Sequence, residues 1–215
     1  MGLNIRTLNM IYEVLDILEI YKFKGLNICE LGNLQIRKDV HPFLKANGIP
    51  LYKSAKEYFT HIGFNDTSID WNGKDGALSL DLGKPINNKF NKKFDILING
   101  GTTEHVYNQY ECWKNIHNIC KENAVIFSVG PLAGNWLKHS PYRYSLEFFE
   151  HLSIENNYDL LEKKVVNFKK KKGFDCHYIS FKKNGGEFIS EELFIKIWNN
   201  HNEEIKNGTK ISYTV

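Results

Sequence analysis

Acidic residues and glycines recur at the ends of the apolar runs of this sequence. Glu30 and Gly32 close "NICELG", and Asp70 closes "TSID" just before Trp71, Asn72 and Gly73. Asp81 and Leu82 end "ALSLDL", and Asn99 ends "FDILIN" before Gly100, Gly101, Thr102, Thr103, Glu104 and His105. An Asp after a second strand can accept two hydrogen bonds from a ribose diol. An aromatic ring beside it, here Trp71, can stack on a purine. Asp81 or a neighbouring amide can read an adenine edge, and glycines let main chain approach a ligand where a Cβ would collide. Proton transfer needs a group that titrates near neutral pH. The candidates are His139, in "NWLKHSPYRYS", and then His105, with Glu104 beside it. Arg143 can grip an anionic acceptor through a bidentate contact, with Tyr142 and Tyr107 on the same substrate side. Each feature also has a structural explanation. Asp70 can cap the Asn72-Gly73 turn, Trp71 can be core, Glu104-His105 can be a packed pair, and the His139 loop can be a lid without chemistry.

The elements that must carry these residues can be read from periodicity. Ile5, Leu8, Ile11, Leu15 and Leu18 recur at helical spacing, so residues 4–22 are predicted to form an amphipathic helix. Short apolar strands are predicted over 26–31, 67–71, 77–82, 94–99 and 124–129. Helical stretches lie between them: 39–59, broken near Gly48-Ile49-Pro50, and 110–121. This alternation predicts a parallel sheet covered on both faces, with ligands at the carboxyl ends of its strands. Residues 165–168 and 176–181 flank a lysine run at 169–172 and predict an antiparallel hairpin with a solvated turn. A closing helical segment is predicted over 187–206. No linker or repeat divides the chain, which is expected to form one domain: an N-terminal helix in 1–24, a core in 25–182 and a C-terminal helical segment in 183–215.

The 215 residues are 42% hydrophobic, enough to bury a core, and the formal charge of +3 calls for neither a nucleic-acid nor a membrane partner. Cys29, Cys112, Cys120 and Cys176 contain no Cys-x-x-Cys pair, which argues against a zinc ribbon or a thioredoxin motif. Core packing is their expected role, and no metal site is expected. Glu13, Asp16 and Glu19 interrupt the N-terminal apolar pattern, against a signal peptide or membrane span, so a cytoplasmic protein with reduced thiols is expected. Gly-x-Gly-x-x-Gly is absent, which disfavours a nicotinamide oxidoreductase.

In order and spacing these segments resemble the class I S-adenosylmethionine-dependent methyltransferases. "ICELGN" resembles their first motif, "SIDWNG" the second, "LSLDLGKPI" the third, "KFDILINGGTTEHV" the fourth strand with its following segment, and "AVIFSVGP" the fifth. The resemblance covers roughly residues 25–182. It implies an α/β, Rossmann-like, seven-stranded and mostly parallel sheet with helices on both faces and a C-terminal antiparallel hairpin. It also implies S-adenosylmethionine as cofactor, held by Glu30, Gly32, Asn33, Asp70, Trp71, Asp81, Leu82, Asn99 and Gly100. The first motif departs from the family where further glycines are replaced by Asn33, Leu34 and Gln35. No Asn-Pro-Pro-Tyr-like element follows the fourth strand, so amino methylation of a nucleobase is not expected. The stretch from Gly101 to Leu152 is similar to bacterial methyltransferases associated with surface polysaccharides. That implies a small-molecule, sugar or phosphorylated acceptor, methylated at oxygen. A non-catalytic binding or regulatory module on the same fold is the alternative.

Overall fold

The computed structural model describes residues 2–168 and 172–204. Helix α1 (Ile5–Ile17) starts at Asn4, whose side chain accepts the Arg6 and Thr7 amides. It stops short of residue 22 because Glu19 takes a left-handed φ of 56° and the Ile20 amide turns back to the Leu15 carbonyl. Strand β1 (Asn27–Leu31) follows, then a 3₁₀ turn (Lys38–Val40), α2 (His41–Ala46) and α3 (Ala55–His61). A reciprocal Ser54–Glu57 capping box opens α3. The next elements are β2 (Asn65–Asp70), β3 (Leu78–Ser79), β4 (Phe94–Gly100), a 3₁₀ turn (Thr103–His105), α4 (Gln109–Ile119) and β5 (Cys120–Pro131). Last come β6 (Tyr142–Tyr144), α5 (Leu146–Glu155), β7 (Tyr158–Asn167), β8 (Asp175–Lys183), α6 (Glu191–His201) and β9 (Asn202–Glu204).

Seven strands form one sheet in the order β3-β2-β1-β4-β5-β8-β7. The pairs from β3 to β5 are parallel, and β8 runs antiparallel to both of its neighbours. Period-two alternation divides the strand side chains between two cores. Ile28, Ile96, Ile98, Val125 and Phe127 pack with α1 and α3 on one face. Leu31, Leu97, Ile126 and Ile179 pack with α4, α5 and α6 on the other.

Other elements also differ from the sequence expectation, and α5 was not foreseen in it. β3 keeps two residues of its predicted six, because the Asp81 side chain takes the Gly83 amide and turns the chain out of the ladder. The predicted 110–121 helix ends at Ile119, since Cys120 already pairs with Phe94 in the sheet. The loop after β5 carries β6, which pairs antiparallel with β9, so the closing helical segment ends in a strand. Lys169–Lys171 of the lysine run, and residues 205–215 of the expected C-terminal helical segment, lie outside the described residues. Among the described residues no helix is long and apolar enough to cross a membrane.

Candidate active site

The sheet order reverses between β1 and β4, so the crevice of interest lies above Leu31 and Asn99, which are paired in the ladder. Glu30 lies beneath that crevice. It is fully buried on the Ile28 face, and one carboxylate oxygen accepts the Leu34 amide at 3.3 Å. Gly32 has φ 80° and donates its amide to the Ile69 carbonyl at 2.7 Å. A Cβ there would stand 2.6 Å from the Thr102 hydroxyl, which itself donates to the Leu31 carbonyl. The chain leaves this turn extended. Ile36 and Arg37 donate to Lys53 and Leu3 carbonyls, and Leu3 and Ala55 donate to those of Gln35 and Leu34.

The crevice walls touch each other. Leu34 is buried, and its Cδ2 lies 2.8 Å from where a Cβ on Gly100 would be. Asn33 donates its amide to Asp70 at 3.1 Å and its side chain to Asp75 at 2.7 Å. The other Asp70 oxygen accepts the Asn72 amide at 3.2 Å. Asp70 remains half-buried, and Trp71 beside it is 64% exposed. Asp81 is exposed and pairs with Lys84 at 3.3 Å, whereas Leu82 packs into the core. Asn99 spends its side chain on the turn above it. Its oxygen accepts the Thr102 and Thr103 amides, and its nitrogen donates to the Thr103 and Ser128 hydroxyls.

That turn aims Glu104 inward. The Gln109 amide group donates to the Thr103 carbonyl and accepts from the Tyr144 hydroxyl, so β6 and α4 clamp the turn from behind. Glu104 has no solvent exposure, and neither carboxylate oxygen has a hydrogen-bond partner among the described residues. Its Oε1 lies 3.9 Å from Nε2 of His105 and 3.9 Å from Nε2 of His139. The two imidazoles meet edge to face at 5.2 Å, and the indole of Trp136 closes on His139 at 5.4 Å. The side chains of His105 and His139 are 34% and 32% exposed, so the cluster is sealed below and open above. Burial raises the Glu104 carboxyl to about 7. Burial, and then the charge of His139, lowers His105 to about 4, which leaves its ring neutral at pH 7. Tyr142 and Tyr107 flank the mouth, the first donating to the main chain of the second at 3.1 Å. Arg143 is buried in the wall behind and donates to the Ser140 carbonyl.

Several contributors carry no local signal in the sequence. His177 is fully buried and held neutral, its pKa lowered by burial to about 3. Its Nδ1–H donates to the Pro131 carbonyl while Nε2 accepts from Ser128, which extends the Asn99 network across β5 to β8. Gly130 permits this approach, since a Cβ there would stand 2.8 Å from the His177 ring. Asp66 was also unforeseen. It sits on the Glu30 face of β2, where the Glu30 carboxyl, when protonated, donates a side-chain hydrogen bond to it. Burial raises Asp66 to about 6; burial first, and then the charge of Asp66, raises Glu30 well above the carboxylate range. An unfolded Asp releases its proton near about 3.9, so the folded chain binds more protons from there to about 6, and stability falls as pH rises through that window. Asp66→Asn is expected to stabilise the protein by about 1–3 kcal/mol at pH 8, or about 2–4 °C in Tm per kcal/mol, and by little at pH 4. Calorimetry at the two pH values checks this; equal gains at both would exclude titration of Asp66 as the cause.

No protein-family model matches the chain, and no curated protein sequence matches it significantly. Solved structures do. The 1,6-didemethyltoxoflavin-N1-methyltransferase of Burkholderia thailandensis, with 1,6-didemethyltoxoflavin and S-adenosylhomocysteine bound, superposes with TM-score 0.54 at 10% identity, covering 81% of this chain and 76% of that one. An S-adenosylmethionine-dependent methyltransferase of Mesorhizobium loti gives TM-score 0.49 at 10% identity over 80% of this chain and 97% of its own. Phosphoethanolamine N-methyltransferase 1 of Haemonchus contortus gives 0.49 at 13% identity over 85% and 45%. At these identities the likeness is one of architecture: the chain has the Rossmann-like, seven-stranded fold seen in the Burkholderia thailandensis methyltransferase.

Proposed function

We propose that this protein transfers a methyl group from S-adenosylmethionine to a small-molecule acceptor, with oxygen as the accepting atom and a sugar or phosphorylated compound as the acceptor class. The observation that carries this reading is the Glu104–His105–His139 cluster, sealed below and open above at the ends of β4 and β5, beside the crevice where this fold takes its ligand. The fold-mate with bound S-adenosylhomocysteine supports it. The nucleoside half of the cofactor fits the residues present. Each Asp70 oxygen accepts one amide, and a carboxylate offers about four lone-pair sites, so a ribose diol can still be held. Trp71 is exposed next to it for the purine, with Asp81 and Leu82 beyond. At the methionine end, Gly32, Asn33, Asn99 and Gly100 line the crevice, Glu30 props it from beneath, and Leu34 must swing off Gly100 to admit the ligand.

When bound, the cofactor supplies a methyl already activated by its sulfonium. The protein's part is alignment, exclusion of water and removal of the acceptor proton. Tyr107 and Tyr142 wall the mouth, Arg143 stiffens the strand behind it, and His139 accepts the proton with His105 beside it as a neutral partner. Titration calorimetry with S-adenosylmethionine and S-adenosylhomocysteine tests the reading, and absence of binding at millimolar ligand would overturn it. Asp70→Ala is expected to weaken cofactor binding by about 1–3 kcal/mol through lost charged hydrogen bonds. Unchanged affinity would remove Asp70 from the site.

A second reading is favoured by one observation, the packing of Leu34 over Gly100. With the crevice closed by its own side chains, the fold serves as a non-catalytic binding or regulatory module. No ligand binding in either the native chain or a variant cleared at Leu34 would support it.

A further inference from the structure

We infer that Glu104, His105 and His139 hold a divalent transition-metal ion, Zn2+ foremost, at the open mouth above β4 and β5. The sequence suggested no metal, since His139 stands far from the Glu104-His105 pair along the chain; the fold brings them together. One donor atom from each residue lies within 4.8 Å of the other two, and Glu104 Oε1 is 3.9 Å from both imidazoles. Tetrahedral donors on a Zn2+ with bonds of about 2.0–2.2 Å stand about 3.4 Å apart, so the three need to close by roughly an ångström. The imidazoles are a third exposed, and turning of the two rings would have to supply that closure.

A second observation points to a ligand. Glu104 is fully buried, is aimed into the cluster, and has two oxygens without a hydrogen-bond partner among the described residues. A buried carboxylate whose oxygens accept no hydrogen bond from the described residues is costly, and a bound cation lowers that cost. The carboxylate is held firmly in this orientation. Asn99 pins the turn from below, Gln109 and Tyr144 pin it from behind, and Gly130 leaves space where a Cβ would lie 3.7 Å from its Oε2. One carboxylate with two imidazoles is the donor set of catalytic zinc and of non-haem iron sites, and it disfavours Mg2+ and Ca2+, which take oxygen ligands. The exposed side leaves coordination positions for water or an acceptor oxygen. With the ion bound, His139 would serve as a ligand and not as the proton acceptor of the metal-free site; a hydroxyl bound to the ion would lose its proton to solvent more readily than in water.

Cation binding is read without cofactor or acceptor, so its failure would leave the methyl-transfer reading standing. Tag-free, chelator-treated protein is titrated with Zn2+, with Co2+ as a spectroscopic probe and with Mg2+. Expected are one Zn2+ per chain at micromolar affinity or tighter, visible Co2+ absorption bands of a low-coordinate site, and no Mg2+ binding in the same range. Glu104→Gln and His139→Ala are each expected to weaken Zn2+ by more than the roughly 10- to 100-fold that loss of an outer-shell partner costs. His151→Ala, in the stacked His151–His201 pair elsewhere on the surface, is expected to leave binding unchanged. No Zn2+ binding by the native chain would overturn the inference. So would stoichiometry and affinity that persist in both cluster variants, or that are lost in His151→Ala.

Discussion

His139→Ala is expected to lower turnover by about 100- to 10,000-fold while S-adenosylmethionine affinity stays at the native value. The magnitude is that of a positioned proton acceptor, and the selectivity comes from where the ring sits. His139 stands on the loop after β5, held by its amide on the Trp136 carbonyl and by the indole of Trp136. The cofactor residues of the proposed site lie at the ends of β1, β2, β3 and β4, and His139 is on the loop after β5, so the substitution removes none of them. The loss should fall on kcat rather than on KM. Release of S-adenosylhomocysteine across a panel of hydroxylated small molecules provides the assay, and calorimetry provides the affinity. Full turnover in the variant would retire His139 as the base. Loss of cofactor affinity would move it to the cofactor side. His139→Asn keeps a polar side chain with no basic nitrogen near neutral pH, and it is expected to fall as far as His139→Ala.

The sheet was largely readable because its central strands are short apolar runs buried on both faces, a pattern that survives without tertiary information. β6 and β9 were not, since three-residue strands paired from distant parts of the chain carry no period of their own. The acids at the strand ends were equally visible, but their directions were less so. Glu30 shares the parity of Ile28 and therefore points under the sheet, into the face that holds Asp66. Asn99 has the parity that reaches Ser128, and through it His177, and it serves the turn that aims Glu104. Neither a glycine count nor a motif match reports such directions. The glycines also serve packing. Gly32 accommodates Thr102, Gly100 accommodates Leu34 and Gly130 accommodates His177, so each allows close packing of protein against protein.

Leu34→Ala is expected to separate the two functional readings, because they require opposite outcomes. Leu34 is buried among the α1 and α3 side chains, so truncation should destabilise the protein by about 2–5 kcal/mol. The cavity so made opens directly over Gly100, where the proposed methionine end must lie. In the native chain a ligand entering there has to push Leu34 out of its packed rotamer, at a cost of about 1 kcal/mol or more. Removing the side chain removes that cost, so S-adenosylmethionine should bind the variant about tenfold tighter than the native chain. Ligand-dependent melting reads both effects together: the variant's Tm should start lower and rise further with added cofactor, since a ligand at about 100 times its Kd contributes about 2.7 kcal/mol. A variant that melts lower and gains nothing from the cofactor would mean that the crevice is core. In that case Leu34 is one of the residues closing it, and the fold serves as a binding module.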